Sequence, residues 1–375
     1  MGVNVSIVLP CRNEEASLSL CLNSIKSVMS KLDYSYEIIV SDSSRDRSPI
    51  IARKLGARVI KHDKIGYGNA LMEGFSASKG EIIVMADADN SYDFQEIPKF
   101  LEAIKTSDFV IGSRFKGSIN KGAMPFFHRY LGNPILTSIL KMFFHTNISD
   151  AHSGFRAIKK SALQKLDLNT TGMEFASEMI ITAVKKRLKI KELPVNYHKR
   201  IGCSKMNSLS DGWKHLRFML LYSPSYLFFL PGLVIFLLGL LMMILLLPDM
   251  ITIKGFNFDI HFLILGSFLS LLGFQIILLG LYSRTYSKAV GFEEHDKLID
   301  FIAKHISLER GLLVGLVFFF IGLIISFKIF IYWVLNGFPG IFEVRKLIFA
   351  STMGLMGIQL IFSSFFLSLM LVERK

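Results

Sequence analysis

Cysteine is scarce in this chain of 375 residues: only Cys11, Cys21 and Cys203 occur, an odd number without the spacing of a metal site. That excludes a disulfide framework and points to a reducing compartment. Internal repeats and low-complexity tracts are also missing. No recognisable nucleic-acid module accompanies the net charge of +13, so nucleic acid is not an expected partner. Charge is unevenly spread. Up to Tyr222 there are 32 Lys and Arg against 21 Asp and Glu, whereas the last 153 residues hold 11 against 9. A hydrophobic content of 51%, with 33 Phe and 16 Met, excludes a disordered or collagenous chain and suits no ordinary soluble enzyme. The first part has the make-up of a soluble domain, and the second is oily.

Charge-free runs cover Leu227–Leu247, Ile260–Ser283 and Leu347–Val372. Each exceeds the roughly 20 residues that cross a hydrocarbon core. A fourth run, Gly311–Leu335, is broken only by Lys328, whose stem can snorkel to the headgroups. Four spans are expected, at about 227–247, 260–283, 311–335 and 347–372. Basic residues set their orientation. Lys214, Arg217, Arg284, Lys288, Lys297, Lys304, Arg310, Arg374 and Lys375 fall on one side; Lys254, Lys328, Arg345 and Lys346 fall on the other. The first side is expected to be cytoplasmic, with both termini there. An apolar strand begins almost at once, without an export signal before it. Asp211–Tyr222 carries Trp213, Leu216 and Leu220 on one face beside Lys214 and Arg217, the pattern of an interfacial helix. Pro134–His145 is a second such stretch, or a plain core helix. The expected organisation is a soluble domain over 1–210, an interfacial helix over 211–223 and a transmembrane region over 224–375.

The soluble part alternates strand and helix. Val3–Leu9, Glu37–Val40, Ala57–Lys61, Glu81–Ala86 and Asp108–Ile111 are apolar runs. Between them lie helical patterns from Glu14, from Ser48-Pro49 (read as a cap plus proline at the first position), from about Asn69 and from Phe94. The class is α/β, a mostly parallel sheet covered on both faces. Ligands bind such sheets beyond the carboxyl ends of the strands. There the chain places Pro10-Cys-Arg-Asn13-Glu14-Glu, then Ser41-Asp42, then Asp87-Ala-Asp89-Asn-Ser91-Tyr-Asp93. The period of two puts Asp87 and Asp89 on one side, where they repel unless a cation lies near. Open oxygen ligands suit Mg²⁺ or Mn²⁺ shared with a diphosphate. The alternative is a helix cap, with Asp89 or Ser91 holding the next turn.

Other residues also have plain readings. Arg114 can pair with Asp108, and Asp150 can cap a turn. Gly66-Tyr-Gly68 reads as a turn opening a helix more readily than as a phosphate cradle. Arg200 and Lys205, either side of a Gly-Cys-Ser turn, can present two cations to one anion or be solvated. Glu174 and Glu178 share a helix face without an assigned role, and His152 reads as structural.

Taken together, Ile7–Glu15, Ile38–Asp42, Gly66–Ala70, Asp87-Ala-Asp89, Ile111–Arg114, Asp150–Arg156 and Arg200–Lys205 resemble family 2 glycosyltransferases of the GT-A fold. Within that family the chain is similar to the polyprenyl-phosphate hexose synthases, such as dolichyl-phosphate mannose and glucose synthases, over about residues 4–222. The resemblance implies a Rossmann-like sheet and donor contacts from Pro10, Asn13, Glu14, Asp42, Asp87, Arg200 and Lys205. It implies metal ligation by Asp87 and Asp89 with Ser91 in the third position, and acceptor-phosphate contacts from Arg129 and Arg156. Asp89, Asp150 and Arg114 fall at catalytic positions. Ser41, Arg12 and Ser91 depart from residues frequent in relatives.

The implied reaction moves a hexose from a nucleotide-diphosphate sugar to a polyprenyl phosphate (undecaprenyl or dolichyl) at the cytoplasmic face. A phosphate whose second ionisation lies near pH 6 is already an anionic nucleophile. It needs no strong general base, and in-line attack inverts the anomeric centre. The alternatives are a hydroxyl acceptor on a lipid or glycan, and a non-catalytic nucleotide-binding carrier. Membrane lipids are expected partners; a homo-oligomer is allowed but not required.

Overall fold

The computed structural model describes residues 3–202, 208–289, 298–301, 308–338 and 343–371. Cys203, Lys205, Lys297, Lys304, Val372, Arg374 and Lys375 lie outside the described residues. The chain divides into two units, Met1–Met219 and Leu220–Lys375.

The first unit runs β1 Val5–Cys11, α1 Leu18–Met29, β2 Tyr36–Asp42, α2 Ser48–Lys54, β3 Arg58–Lys61, α3 Tyr67–Ala77 and β4 Ile82–Met85. It continues with α4 Ile97–Lys105, β5 Phe109–Ser113, α5 Asn133–Phe144, β6 Arg156–Lys159, α6 Lys160–Leu163, α7 Phe175–Lys185, β7 Ile190–Pro194 and α8 Ser208–Leu221. The seven strands form one sheet in the order β3-β2-β1-β4-β6-β5-β7. All neighbours are parallel except β6, which runs antiparallel to β4 and β5. This is the expected mostly parallel sheet, with one reversal. Strand β6 was not foreseen, because it is four residues long and opens on an arginine.

Apolar strands and the inner faces of the helices close one core around Ile7, Leu9, Leu22, Ile25, Val84, Phe94, Phe100 and Phe155. Phe100 and Phe155 stack at 4.2 Å between centroids. Some helix starts differ from expectation. The helix expected from Glu14 begins at Leu18, because Asn13 takes a left-handed φ of 55° and residues 14–17 turn. Ser48 does not cap α2; its own N–H donates to Asp46 Oδ1 at 2.9 Å, and its hydroxyl accepts from Glu14 N–H. Nor does Asp89 or Ser91 cap the helix after the acidic motif: Asp93 does, accepting from Gln95 N–H at 2.9 Å.

The second unit holds four long apolar helices, Ser225–Leu246, Ile260–Ala289, Leu308–Leu335 and Val344–Leu371, each able by length and composition to cross a membrane. A small hairpin, Ile251–Ile253 with Phe256–Phe258, separates the first two. Helix contacts are made through small residues. A Cβ on Gly239 would lie 2.4 Å from the backbone nitrogen of Ser270, so only glycine lets the first two spans approach this closely. Three polar pairs join the second and fourth spans: Ser267 with Thr352 at 2.6 Å, Gln275 with Gln359 at 3.0 Å and Tyr282 with Ser363 at 2.6 Å.

Candidate active site

The carboxyl ends of β1, β2 and β4 meet at one edge of the sheet, and side chains lace their loops together. Asn13 N–H donates to Ser44 Oγ at 2.7 Å, while Asn13 Oδ1 accepts from Arg45 N–H at 2.9 Å. Asn13 therefore ties the β1 loop to the β2 loop. Asp42 is fully buried at the end of β2, and its Oδ2 receives the Lys61 ammonium at 2.7 Å. The geometry gives both residues a role in shaping the loops that Pro10 and Glu14 line.

Two of the chambers at this edge reach the acidic pair. One, about 370 Å³, is lined by Pro10, Arg12, Glu14 and Ser43 from the β1 and β2 ends. The other, about 340 Å³, is lined by Arg114, Met124, His128, Leu136, His152 and His215. Asp87, Asp89, Tyr67 and Arg200 line both. The acidic pair thus stands at the junction.

Its surroundings fit a cation. Burial, together with Asp89 alongside, pushes the Asp87 carboxyl up to about 7 despite Arg114, Arg200 and a hydrogen bond with Tyr67. Two carboxylates this close and this buried favour added positive charge beside them. The wall opposite Asp87 is bare backbone: a Cβ on Gly154 would sit 2.6 Å from Asp87 Oδ2. Tyr92 holds that wall, its hydroxyl accepting from Gly154 N–H at 2.7 Å. Asp89 Oδ1 accepts from Ser91 N–H at 3.0 Å, leaving Oδ2 facing Arg200 Nη2 at 3.4 Å. Arg200 also reaches Glu14 Oε1 at 3.7 Å, which links the first chamber's wall to the acidic pair through one guanidinium. Among the described residues no third His, Cys, Asp or Glu completes a protein-only metal cage. Ser91 is fully buried. The donor set therefore suits an ion that takes its remaining ligands from a diphosphate.

Arg114 and Asp150 form a buried pair. Arg114 donates from Nε to Asp150 Oδ2 at 2.7 Å, from Nη2 to Oδ1 at 2.8 Å, and from its main-chain nitrogen to Oδ2 at 3.0 Å. Burial alone would raise the Asp150 carboxyl, but the Arg114 guanidinium holds it below its ordinary value. Asp108, the other partner considered for Arg114, pairs with Lys159 instead, at 3.6 Å. Tyr197 lies under the Arg114 guanidinium, 5.2 Å from centroid to Cζ, so this cation forms one wall of the second chamber.

Arg156 departs from its expected place at the acceptor phosphate. It is fully buried, and it donates to the carbonyls of Ser153, Ala176 and Ala151 at 2.8, 2.8 and 2.9 Å. With its donors engaged by main chain at the start of β6, it holds the 151–153 loop rather than an anion. Arg129 lies on a π turn, His128–Gly132, leading into α5. Lys205 lies outside the described residues.

The turn read at Gly66-Tyr-Gly68 is present, and Glu178 and Glu192 have structural roles that the sequence does not specify. Gly66-Tyr-Gly68 opens α3, and the N–H groups of Gly68 and Asn69 donate to the Gly172 and Thr171 carbonyls at 3.2 Å each. These donors are satisfied within the protein, so no phosphate cradle forms there, but the turn delivers Tyr67 to the acidic pair. Glu178, left without a role by its sequence, accepts from Asn169 N–H, Thr170 N–H and the Thr170 hydroxyl, fixing that capping loop. Glu192 likewise accepts from Ser149 N–H at 2.7 Å and Asp150 N–H at 3.2 Å.

Comparison with known proteins identifies the family. Residues 6–167 match the family described as Glycosyl transferase family 2, and residues 281–371 match the Glycosyltransferase family 2 C-terminal transmembrane region. The chain is 40% identical over 365 residues to the Low-salt glycan biosynthesis hexosyltransferase Agl6 of Haloferax volcanii, covering 97% of this chain and 88% of that one. It is 31% identical over 213 residues to the Dolichyl-phosphate hexose transferase of the same organism, covering 56% of this chain and 89% of that one. Among solved structures, glucosyl-3-phosphoglycerate synthase from Mycobacterium tuberculosis with Mn²⁺, UDP and glucosyl-3-phosphoglycerate superposes with a TM-score of 0.47 at 22% identity, over 58% of this chain and 79% of that one. With 40% identity to that hexosyltransferase over nearly the whole chain, and both a catalytic-domain and a C-terminal transmembrane match, the protein belongs to glycosyltransferase family 2 and is a membrane glycosyltransferase.

Proposed function

We propose that the protein transfers a hexose from a nucleotide-diphosphate sugar to a polyprenyl phosphate at the cytoplasmic face of the membrane, with inversion and dependence on a divalent cation. The observation that carries this reading is the position of Asp87 and Asp89 between two chambers. The nucleotide occupies the chamber lined by Pro10, Glu14 and Ser43. The hexose and the acceptor phosphate occupy the chamber lined by Arg114 and His152. Asp87 and Asp89 would hold Mg²⁺ or Mn²⁺, whose chemistry is to offset charge growing on the leaving diphosphate. Arg200, and Lys205 from the segment that follows, add cationic charge on the same oxygens. Arg114, kept ionised by Asp150, and Arg129 orient the acceptor.

A lipid acceptor is supported by the rim of the second chamber. Chamber-lining Pro125, His128, Gly132 and Leu136 alternate in sequence with Phe126, Phe127, Tyr130, Leu131 and Ile135, all exposed, with Phe126 at 67% and Phe127 at 69%. An exposed apolar patch of this kind marks a contact surface. Trp213 on α8 is exposed as well. The names of the similar dolichyl-phosphate transferases point to the same acceptor class, and the distribution of basic residues supports a cytoplasmic catalytic unit.

Membranes holding the protein, incubated with radiolabelled nucleotide hexose, polyprenyl phosphate and Mn²⁺, should form a glycolipid that mild acid cleaves and a chelator suppresses. Asp89→Ala should lower its formation at least about 100-fold, the scale of losing a principal electrostatic stabiliser. Full activity in that variant, or an acid-stable product, would overturn the metal assignment or the phosphate acceptor respectively.

A further inference from the structure

One residue in the wall of the second chamber has no part in the chemistry above. His152 comes two residues after Asp150, which is clamped on Arg114, and two before Gly154, whose backbone abuts Asp87. Its ring stands edge-on to His215, with centroids 4.4 Å apart and planes at 87°. His215 is in turn fixed by a 2.8 Å hydrogen bond between Nδ1 and Ser177 Oγ. Both ring nitrogens of His152 are buried and lack a hydrogen-bond partner. Burying an unpaired polar group is unfavourable. For packing alone an apolar ring would serve better, so the nitrogens need a partner that arrives with a ligand.

The chemistry of that ligand follows from the ring. Burial, reinforced by His215, Arg114 and Arg156, holds His152 well below its ordinary pKa. A neutral imidazole offers one N–H donor and one acceptor nitrogen. A phosphate only accepts hydrogen bonds at neutral pH, and a cation would serve it better. Sugar hydroxyls both donate and accept. The terminal ring torsion of histidine is soft, so a small rotation turns a nitrogen into the chamber it lines. We propose that His152 reads the hexose, donating to one hydroxyl and accepting from another, and so sets donor-sugar specificity. This rests on the donor chemistry proposed above.

His152→Phe keeps a ring of similar size and removes both nitrogens. Full-length protein in detergent, titrated calorimetrically with Mn²⁺ and a panel of UDP- and GDP-hexoses and the free nucleoside diphosphates, gives the test. In the variant, nucleoside diphosphate affinity should stay within about twofold. Affinity for the preferred nucleotide hexose should fall about 10- to 100-fold, each of the two neutral hydrogen bonds being worth up to about tenfold. Discrimination among hexose epimers should shrink, Tm should hold or rise, and His152→Gln should recover part of the discrimination. Unchanged hexose affinity and epimer preference would overturn the inference. So would a fall in Tm with parallel loss of nucleoside diphosphate binding, which marks a structural role. If the wild-type protein binds neither nucleoside diphosphates nor nucleotide hexoses, the donor reading fails and takes this inference with it. If it binds both and His152→Phe changes neither, this inference alone fails.

Discussion

The two units of this chain put their residues in opposite places. In the first, the fully buried side chains include Phe94, Phe100, Phe109 and Phe155, and with them ionic groups such as Arg156 and Asp150. In the second, the third span buries only Gly311, Gly315 and Gly322, while Leu313 and Leu335 are 63% and 79% exposed. Water drives apolar rings inside and makes a buried charge tolerable only when paired. Lipid gives leucine no reason to hide, so helices associate where small residues allow contact and where polar side chains need one another. The same alphabet is therefore arranged inside out, and the energetic consequences of a substitution differ between the units.

The largest contrast concerns buried charge in the first unit. Asp150→Ala should cost about 3–5 kcal/mol by denaturant or thermal unfolding, because Arg114 is left buried without its counter-ion. Arg114→Met combined with Asp150→Leu should cost much less. A double variant as unstable as the single one would mean that shape, not charge, dominates there. In the second unit the corresponding weak point is steric. Gly239→Leu should separate the first two spans and cost about 1–3 kcal/mol, read as a lower resistance to unfolding in denaturing detergent. An unchanged resistance would show that these spans do not depend on their close approach.

The third test uses pH. Burial, with Arg156 and Lys214 nearby, lowers His215 from 6.5 to about 4 in the folded protein, against the opposing pull of Asp211. The unfolded chain takes up this proton near 6.5 and the folded chain does not, so stability present at neutral pH is lost as pH falls through that window. At pH 5 the loss should be about 2 kcal/mol, and His215→Gln should remove that share of the acid sensitivity. An identical pH profile in the variant would place the imidazole's proton uptake elsewhere. The smallest expected effect lies in the spans: a double-mutant cycle on Gln275 and Gln359 should give a coupling of about 0.6 kcal/mol. A value of several kcal/mol would make this polar pair as consequential as the charge pair of the first unit.

Legibility followed the range of the interactions. Asp87 and Asp89 stood out because an apolar run ending in two carboxylates is a local pattern, and strand period alone puts them on one side. The four spans were readable for a similar reason, since length and hydropathy suffice when the backbone must satisfy itself. Arg114 and Asp150 were each noticed but not as a pair, being joined across 36 positions by the packing of the loop before β6. Arg156, expected at an anion, sits on three carbonyls instead, because a sequence does not distinguish a guanidinium that binds an anion from one that collects carbonyls. His152 reads as structural in the sequence, because a lone histidine in a loop carries no pattern.

By itself, then, the amino-acid order determined the α/β class, the acidic motif and the apolar helices, all properties of contiguous residues with a fixed period. Tertiary structure alone decided that β6 runs backwards, that two chambers share the carboxylates, and which arginine is a strut. Those outcomes depend on which distant groups become neighbours in a low-dielectric interior, where every buried charge and hydrogen bond must find its partner.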